Sequence, residues 1–285
     1  GIRGRFQSRT LDSVLAEARQ LAASGAREIN LVAQDSTSWG KDLAPLAEGA
    51  GRPRLAELLA ALDSAADLDP IAWVRLLYVY PSAVTDELIE TFAAGRRLVP
   101  YVDVPLQHAS DAMLRAMRRG TTAERQRRLV ERLRAAIPDL TLRTTFIVGF
   151  PGETDADFQA LCDFVRDVRF DRVGVFRYSD EEGTAGFELP DKVPARVARE
   201  RHRALLALLR ELQRERLAEL VGREQEILVD AGGRDRARGR LRSQAPEIDG
   251  EVLLRGAAET GRFVRARIAG VRGPDLVADP AAPGV

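Results

Sequence analysis

The chain has 285 residues, 45% of them hydrophobic and 30% charged, with a formal net charge of zero. That length buries a sizeable core and has room for two domains. Balanced charge excludes non-specific nucleic-acid binding through bulk charge, though not through a local patch. The absence of a membrane-length apolar run and of a signal-peptide pattern points to a soluble, cytoplasmic protein. Lys41 and Lys192 are the only lysines, which reads as codon bias before function.

Gly1 to Arg9 is basic and has no helical period. Thr10 or Asp12 starts a helix through about Ser24, with Leu11, Val14, Leu15, Ala18 and Leu21 on one face and Gly25 as its stop. Glu28 to Ala33 reads as a short strand running into the polar sequence Gln34-Asp35-Ser36-Thr37-Ser38-Trp39-Gly40. A helix over about 53–66, a strand from Ile71 to Val79 and a helix from Thr85 to Ala94 follow. Leu98 to Val104 is a strand closed by Pro105-Leu106-Gln107-His108-Ala109-Ser110, and helices cover about 111–117 and 123–137.

The run from Leu142 to Thr154 organises the chain. Its β-branched start reads as a buried strand, broken at Gly149, Pro151 and Gly152. Thr154 is the N-cap of the next helix, with Asp157 in an acidic first turn and Phe158, Leu161, Phe164 and Val165 on its apolar face. In a parallel α/β protein this turn lies at the carboxyl end of a strand, where ligands bind and glycines admit close backbone approach. It reads equally well as an ordinary tight turn. A strand from Arg172 to Tyr178 and a long arginine-rich helix from Pro194 to Leu220 complete this part. Five strands alternating with helices predict a parallel sheet, closed only into a partial barrel. After Gly222, short strands at 226–229, 237–241, 251–254, 263–268 and 276–278 predict a small β-barrel, with 280–285 as a disordered tail.

Cys162, the single cysteine, reads as a small buried hydrophobe in the helix after Thr154, unable alone to build a zinc or iron–sulfur site. His108 is expected to be a structural hydrogen-bonder, and His202 a solvated residue of the arginine-rich helix. No HxxxH spacing supports a metal site. Asp35, Asp103, Glu153 and Glu181 serve either as acids and bases or as caps. Arg143 and Arg177 carry charge near apolar strands, and at least one is expected to recognise a carboxylate or phosphate. The basic face of the 194–220 helix is expected to be solvated.

These stretches resemble a known family. Ile2-Arg3-Gly4 with Ser8-Arg9, Gln34-Asp35 with Trp39-Gly40, Pro105 to Ser110, Arg143 to Thr154, Tyr178-Ser179 with Glu182-Gly183-Thr184, and Ala245 to Gly250 together look like a methylthiotransferase of the radical S-adenosylmethionine superfamily. The match is nearest to the RimO type and covers almost the whole chain. It implies an α/β fold, a partial (βα)6 TIM-like barrel over 1–220, followed by a TRAM domain, a small OB-like all-β barrel, over 221–285. It also implies S-adenosylmethionine and 4Fe–4S clusters as cofactors and a reductant such as flavodoxin or ferredoxin. The substrate would be the twelfth small-subunit ribosomal protein, methylthiolated at the β-carbon of an aspartate. The family's CxxxCxxC cysteines would stand a few residues before Gly1. With them, the first barrel strand and an N-terminal domain with a second cluster, they are absent here, so the chain is expected to be a fragment, inactive alone. In the intact enzyme the resemblance implies reductive cleavage of the cofactor to a 5′-deoxyadenosyl radical and hydrogen removal from the aspartate. By resemblance, Gln34, Asp35 and Ser36 hold the methionine amino group and Arg143 its carboxylate. Gly149 to Glu153 form the adenine-side motif, with Glu153 one position late for its strict form. Gln107 and His108 face the ribose or substrate, and Tyr178 and Ser179 the adenine side. Alternatives are a tRNA methylthiotransferase, disfavoured by Gln107-His108-Ala109-Ser110 and by a charge-balanced last domain, and a non-enzymatic RNA- or ribosome-binding protein on a degenerate barrel.

Overall fold

The structure is a computed structural model and describes residues 5–45 and 51–280. Helix α1 (Leu11–Ala23) begins where Thr10, in extended backbone, accepts the Ser13 N–H, and ends at Ser24 before left-handed Gly25. Strand β1 (Glu28–Leu31), α2 (Leu55–Ser64), β2 (Trp73–Leu76), α3 (Asp86–Ala94) and β3 (Leu98–Asp103) follow. Then come α4 (Asp111–Ala116), α5 (Ala123–Ala136), β4 (Thr141–Val148), α6 (Asp155–Val168), β5 (Arg172–Arg177) and α7 (Ala195–Ala218). The sheet is parallel, in the order β1-β2-β3-β4-β5, the half-barrel that helical crossovers between successive strands require.

The elements agree with the sequence reading in kind and differ at their ends. The strand expected over 71–79 forms a ladder over only Trp73–Leu76, because Tyr78 adopts left-handed backbone, φ 60°, which no ladder accepts. The Gln34–Gly40 run holds a 3₁₀ turn, Ser36–Ser38, capped by the Asp35 side chain. Helix α6 starts with the expected reciprocal cap: Thr154 Oγ1 accepts the Asp157 N–H at 3.2 Å, and Asp157 accepts the Thr154 N–H at 3.0 Å. Thr154→Ala is expected to lower stability by about 1 kcal/mol. A urea titration should show a shifted midpoint and an unchanged slope.

By compactness the chain divides into two units, 1–103 with 133–140, and 104–132 with 141–285. In the first, β1 pairs β2 from Glu28↔Trp73 to Leu31↔Leu76, over a core including Leu59, Leu62, Leu68 and Ile71. In the second, β4 and β5 pair from Arg143↔Arg172 to Val148↔Arg177. The Phe146, Phe164 and Phe170 rings pack edge-on or tilted beneath them. The Nε2 of His202 on α7 meets the Val175 carbonyl at 3.2 Å, so the helix covers a group of the last strand in the sheet order. His202 is therefore half-buried, not solvated as expected.

The second unit also carries β6 (Glu224–Ala231), β7 (Arg236–Arg240), β8 (Val252–Arg255), β9 (Phe263–Arg272) and β10 (Asp275–Pro280), closed into a barrel in the order β10-β8-β7-β6-β9. Its core is Ile227, Val229, Val252, Leu254, Ile268 and Leu276 with their neighbours. The alternation that marks these strands also sends their arginines outward on β9. Pro280, expected in the tail, ends β10 opposite Ala266; residues 281–285 lie outside the described residues.

Candidate functional site

In the first unit, the three candidates after β1 differ in what their side chains do. Gln34 is exposed. Asp35 accepts the Thr37 N–H at 3.0 Å and the Thr37 and Ser38 hydroxyls. Burial pushes its pKa up, but the Ser38 and Thr37 hydrogen bonds outweigh that and hold the carboxyl below the usual range, ionised at neutral pH. Ser36 is buried, its hydroxyl donating to the Leu77 carbonyl at 2.6 Å. Asp35 and Ser36 line a cleft of about 450 Å³ with Ser8, Asn30 and Trp39.

In the second unit, Gln107 sits in left-handed backbone, φ 72°, its amide and carbonyl pinned on Thr145 and Ile147 of β4 at 2.8 Å each. That conformation is strained for a residue with a Cβ, and the two bonds to β4 hold it. His108 is fully buried. Its Nδ1 accepts the Ala109 and Ser110 N–H groups at 2.9 and 3.0 Å, which places the ring proton on Nε2. Nε2 stands 3.8 Å from Glu153 Oε2 and has no hydrogen-bond partner among the described residues. Burial, with the Arg201 charge adding to it, lowers the His108 pKa to about 4.

Because the folded pKa lies below the unfolded value near 6.5, the unfolded chain takes up the proton first as pH falls. His108 therefore contributes stability that is complete above about pH 6.5 and is lost between there and about pH 4, about 3 kcal/mol in all. Denaturant titrations at pH 7 and pH 4 should show a His108→Gln variant losing about 3 kcal/mol less over that interval than the parent. An equal loss in both would show that this imidazole is not the proton acceptor.

The glycine loop after β4 is closed by its own carboxylate. Glu153 Oε2 accepts the Gly149 N–H at 2.6 Å, and Arg201 of α7 donates to Glu153 Oε1 and to its carbonyl, both at 2.9 Å. Burial raises the Glu153 pKa, with the Gly149 N–H and the Arg201 charge opposing it. Gly149 is required twice over: its φ is +78°, and a Cβ there would stand 2.6 Å from the Ala198 Cβ. The loop is thus tied to α7 by an ion pair on one side and a glycine contact on the other. Arg201, placed by the sequence on a solvated basic face, is buried at 7% exposure. The available signal was its position between Ala198 and Leu205, on the helix's apolar stripe.

Tyr178 and Ser179 end β5. The Tyr178 hydroxyl meets Asp180 Oδ1 at 3.0 Å, its ring packs 4.9 Å from Phe150, and Ser179 donates to Glu181 at 2.8 Å. Gly149, Tyr178 and Ser179 come together along one cleft of about 560 Å³, with Phe176, Asp180 and Lys192. Arg143 lines a different pocket, while Gln107, His108 and Glu153 are buried. Arg177 is exposed, and the buried arginines of the parallel sheet are Arg75 and Arg172, neither of them a sequence candidate. Asp103 is buried, with Oδ2 facing the Tyr78 N–H at 3.3 Å, and Glu181 is exposed.

Cys162 is buried in α6 as expected, and burial pushes its thiol pKa up. Among the described residues no three His, Cys, Asp or Glu side chains converge on a metal site. A 4Fe–4S cluster requires a set of thiolates, so the residues present do not fit one. Among the described residues no helix is long and apolar enough to cross a membrane.

Comparison with known proteins agrees with this geometry. The Radical SAM superfamily model matches residues 1–165 and the TRAM domain model residues 221–280. The chain is 50% identical over 282 residues to the ribosomal protein uS12 methylthiotransferase RimO of Sorangium cellulosum, covering 98% of this chain and 57% of that protein. It is 46% identical to the RimO of Geobacter sulfurreducens, covering 98% and 61%. The chain therefore spans about three fifths of the curated relatives it matches. Among solved structures, coproporphyrinogen III oxidase (HemN) from Escherichia coli, a radical SAM enzyme, superposes with a TM-score of 0.50 at 15% identity over 71% of this chain and 46% of that one, a likeness of fold alone. With the superfamily model matching more than half its length and a half-barrel of parallel strands beneath that match, the chain belongs to the radical SAM superfamily, its radical SAM region followed by a TRAM domain.

Proposed function

We propose that this chain is the radical SAM and TRAM portion of a methylthiotransferase that modifies the β-carbon of an aspartate of ribosomal protein uS12, in the cytoplasm where that substrate is made. The observation that carries the reading is the 50% identity to a RimO over 98% of the chain. The TRAM region also supports a basic protein as substrate: residues 221–280 hold eleven arginines against ten carboxylates, without the excess of positive charge that an RNA-docking module needs.

S-adenosylmethionine, when bound, supplies the oxidising power to remove a hydrogen atom from the aspartate β-carbon. Its binding residues are proposed from the family pattern, each taken by itself. Asp35, ionised by its hydrogen bonds, is the proposed partner of the methionine ammonium, with Gln34 and Ser36 beside it in sequence. Arg143 offers a guanidinium for the carboxylate. Gly149 lines the cleft of Tyr178 and Ser179, which is proposed to take the adenine side. Gln107 and His108 are proposed on the ribose or substrate side. The iron–sulfur clusters and a flavodoxin- or ferredoxin-like reductant are proposed for the protein at the length of its relatives.

The test uses the protein extended to the length of its relatives, reconstituted anaerobically with iron and sulfide. The expected result is S-adenosylmethionine cleavage to 5′-deoxyadenosine, a methylthio mass gain on an aspartate of uS12, and weaker cofactor binding in Arg143→Ala. Modification of tRNA alone would replace the substrate, and a protein that neither binds a cluster nor cleaves the cofactor would overturn the enzymatic reading.

A further inference from the structure

Arg172, the first residue of β5, is 8% exposed. Its Nη1 has no hydrogen-bond partner among the described residues, and the Asp249 carboxylate stands 3.8 Å from Nε, beyond hydrogen-bond reach. Beside that ion pair, a buried guanidinium with one donor unbonded destabilises a fold unless something satisfies it. The side chain opens onto a pocket of about 360 Å³, bounded by the start of β5, α7 and the barrel turns at 248–250 and 274–275. Arg143, its partner in register on β4, lines the same pocket. Gly174, two residues along the same face, leaves the space open: a Cβ there would stand 3.6 Å from Arg143 Nη2.

The three carboxylates around the pocket are each held by other groups. Asp171 accepts the Leu142 N–H at 2.9 Å and pairs with Arg216. Asp249 accepts the Ala245 N–H at 2.8 Å, and Asp275 the Glu251 N–H at 3.0 Å. Arg172, paired with Asp249 through Nε alone, keeps Nη1 unbonded, and a planar fork of N–H groups matches an oxyanion.

We propose that this pocket binds an oxyanion, a carboxylate or a phosphate group, on the Arg172 guanidinium. The pocket is distinct from the glycine-loop cleft, and it shares Arg143 with the cofactor assignment proposed above.

The test is thermal unfolding of this chain in inorganic phosphate or in acetate, with chloride holding ionic strength constant, for the parent, Arg172→Gln and Asp249→Asn. The parent midpoint is expected to rise with the logarithm of phosphate concentration, by roughly 5–10 °C at a hundredfold excess over the dissociation constant. Arg172→Gln should start at a higher midpoint without added anion and gain nothing from phosphate. Asp249→Asn, which removes the nearest competing carboxylate, should bind phosphate more tightly. Acetate matching phosphate identifies a carboxylate site, and phosphate acting alone a phosphate site. Equal shifts in parent and Arg172→Gln, or none in either, overturn the proposal. So does a lower anion-free midpoint in Arg172→Gln, which would make Asp249 the arginine's working partner, or weaker phosphate binding in Asp249→Asn. Displacement of phosphate by S-adenosylmethionine would reassign the pocket to the cofactor and overturn a separate site.

Discussion

Arg201→Ala is expected to lower stability by about 3–5 kcal/mol, because it leaves the Glu153 carboxylate buried without its partner. Glu153 has no exposed side-chain surface and Arg201 only 8%, so water does not replace the lost guanidinium. The bond from Arg201 to the exposed Asp155 carboxylate, 2.7 Å, adds little to that loss. The variant also has a pH signature. The folded pKa of Glu153 is already raised by burial, and Arg201 is one of the groups opposing the rise. Without Arg201 the pKa climbs further, so the carboxyl takes a proton at a higher pH. A raised carboxyl contributes stability that is complete below its unfolded value near 4.5 and is lost as pH rises through the folded value. The penalty in Arg201→Ala is therefore full at pH 8 and shrinks toward pH 5. Denaturant titrations at the two pH values check this. Arg199→Ala, on the exposed face two residues away, should stay within about 0.5 kcal/mol of the parent at both. A pH-independent loss in Arg201→Ala would mean that packing against Phe158, 5.9 Å from the guanidinium, is what the arginine supplies.

The same loop shows what the sequence could and could not disclose. Strand, turn and helix around Gly149 were legible because β-branched clustering, glycine and a Thr–Asp cap are local signals, and the reciprocal cap at Thr154 has the bonds its residues predict. The five barrel strands after Gly222 were legible for the same reason, and only their ends moved. The partners of buried charges were not. Nothing near Glu153 in sequence names Arg201, 48 residues away, and His108 lies 45 residues before the carboxylate its Nε2 faces. Such pairs are set by tertiary placement. A charged residue inside an apolar stripe, as Arg201 stands between Ala198 and Leu205, is the one trace they leave. Arg177 was singled out by its place on a strand, yet it is exposed, because it lies at the end of β5 where the strand leaves the sheet.

Arg75 is the extreme case and gives the second large prediction. It stands in the middle of β2, fully buried, with Nε 2.8 Å from Glu28 Oε1 and its guanidinium 4.6 Å from the centre of the Tyr101 ring. Glu28 reaches it diagonally, since Glu28 is in register with Trp73 and Asn30 with Arg75. Glu28→Leu should destabilise the protein by about 3–5 kcal/mol, because the arginine stays in the core without the Glu28 carboxylate. The double variant Glu28→Leu with Arg75→Leu removes both charges and fills much of the same volume, and should recover most of that loss. Unfolding of the four proteins in a double-mutant cycle measures the coupling directly. If the double variant is as unstable as Glu28→Leu alone, the pair is not an interchangeable filler of the β1–β2 seam. Arg75 would then be held for its place over Tyr101, and a further variant, Tyr101→Leu, should show a loss that depends on Arg75 being present.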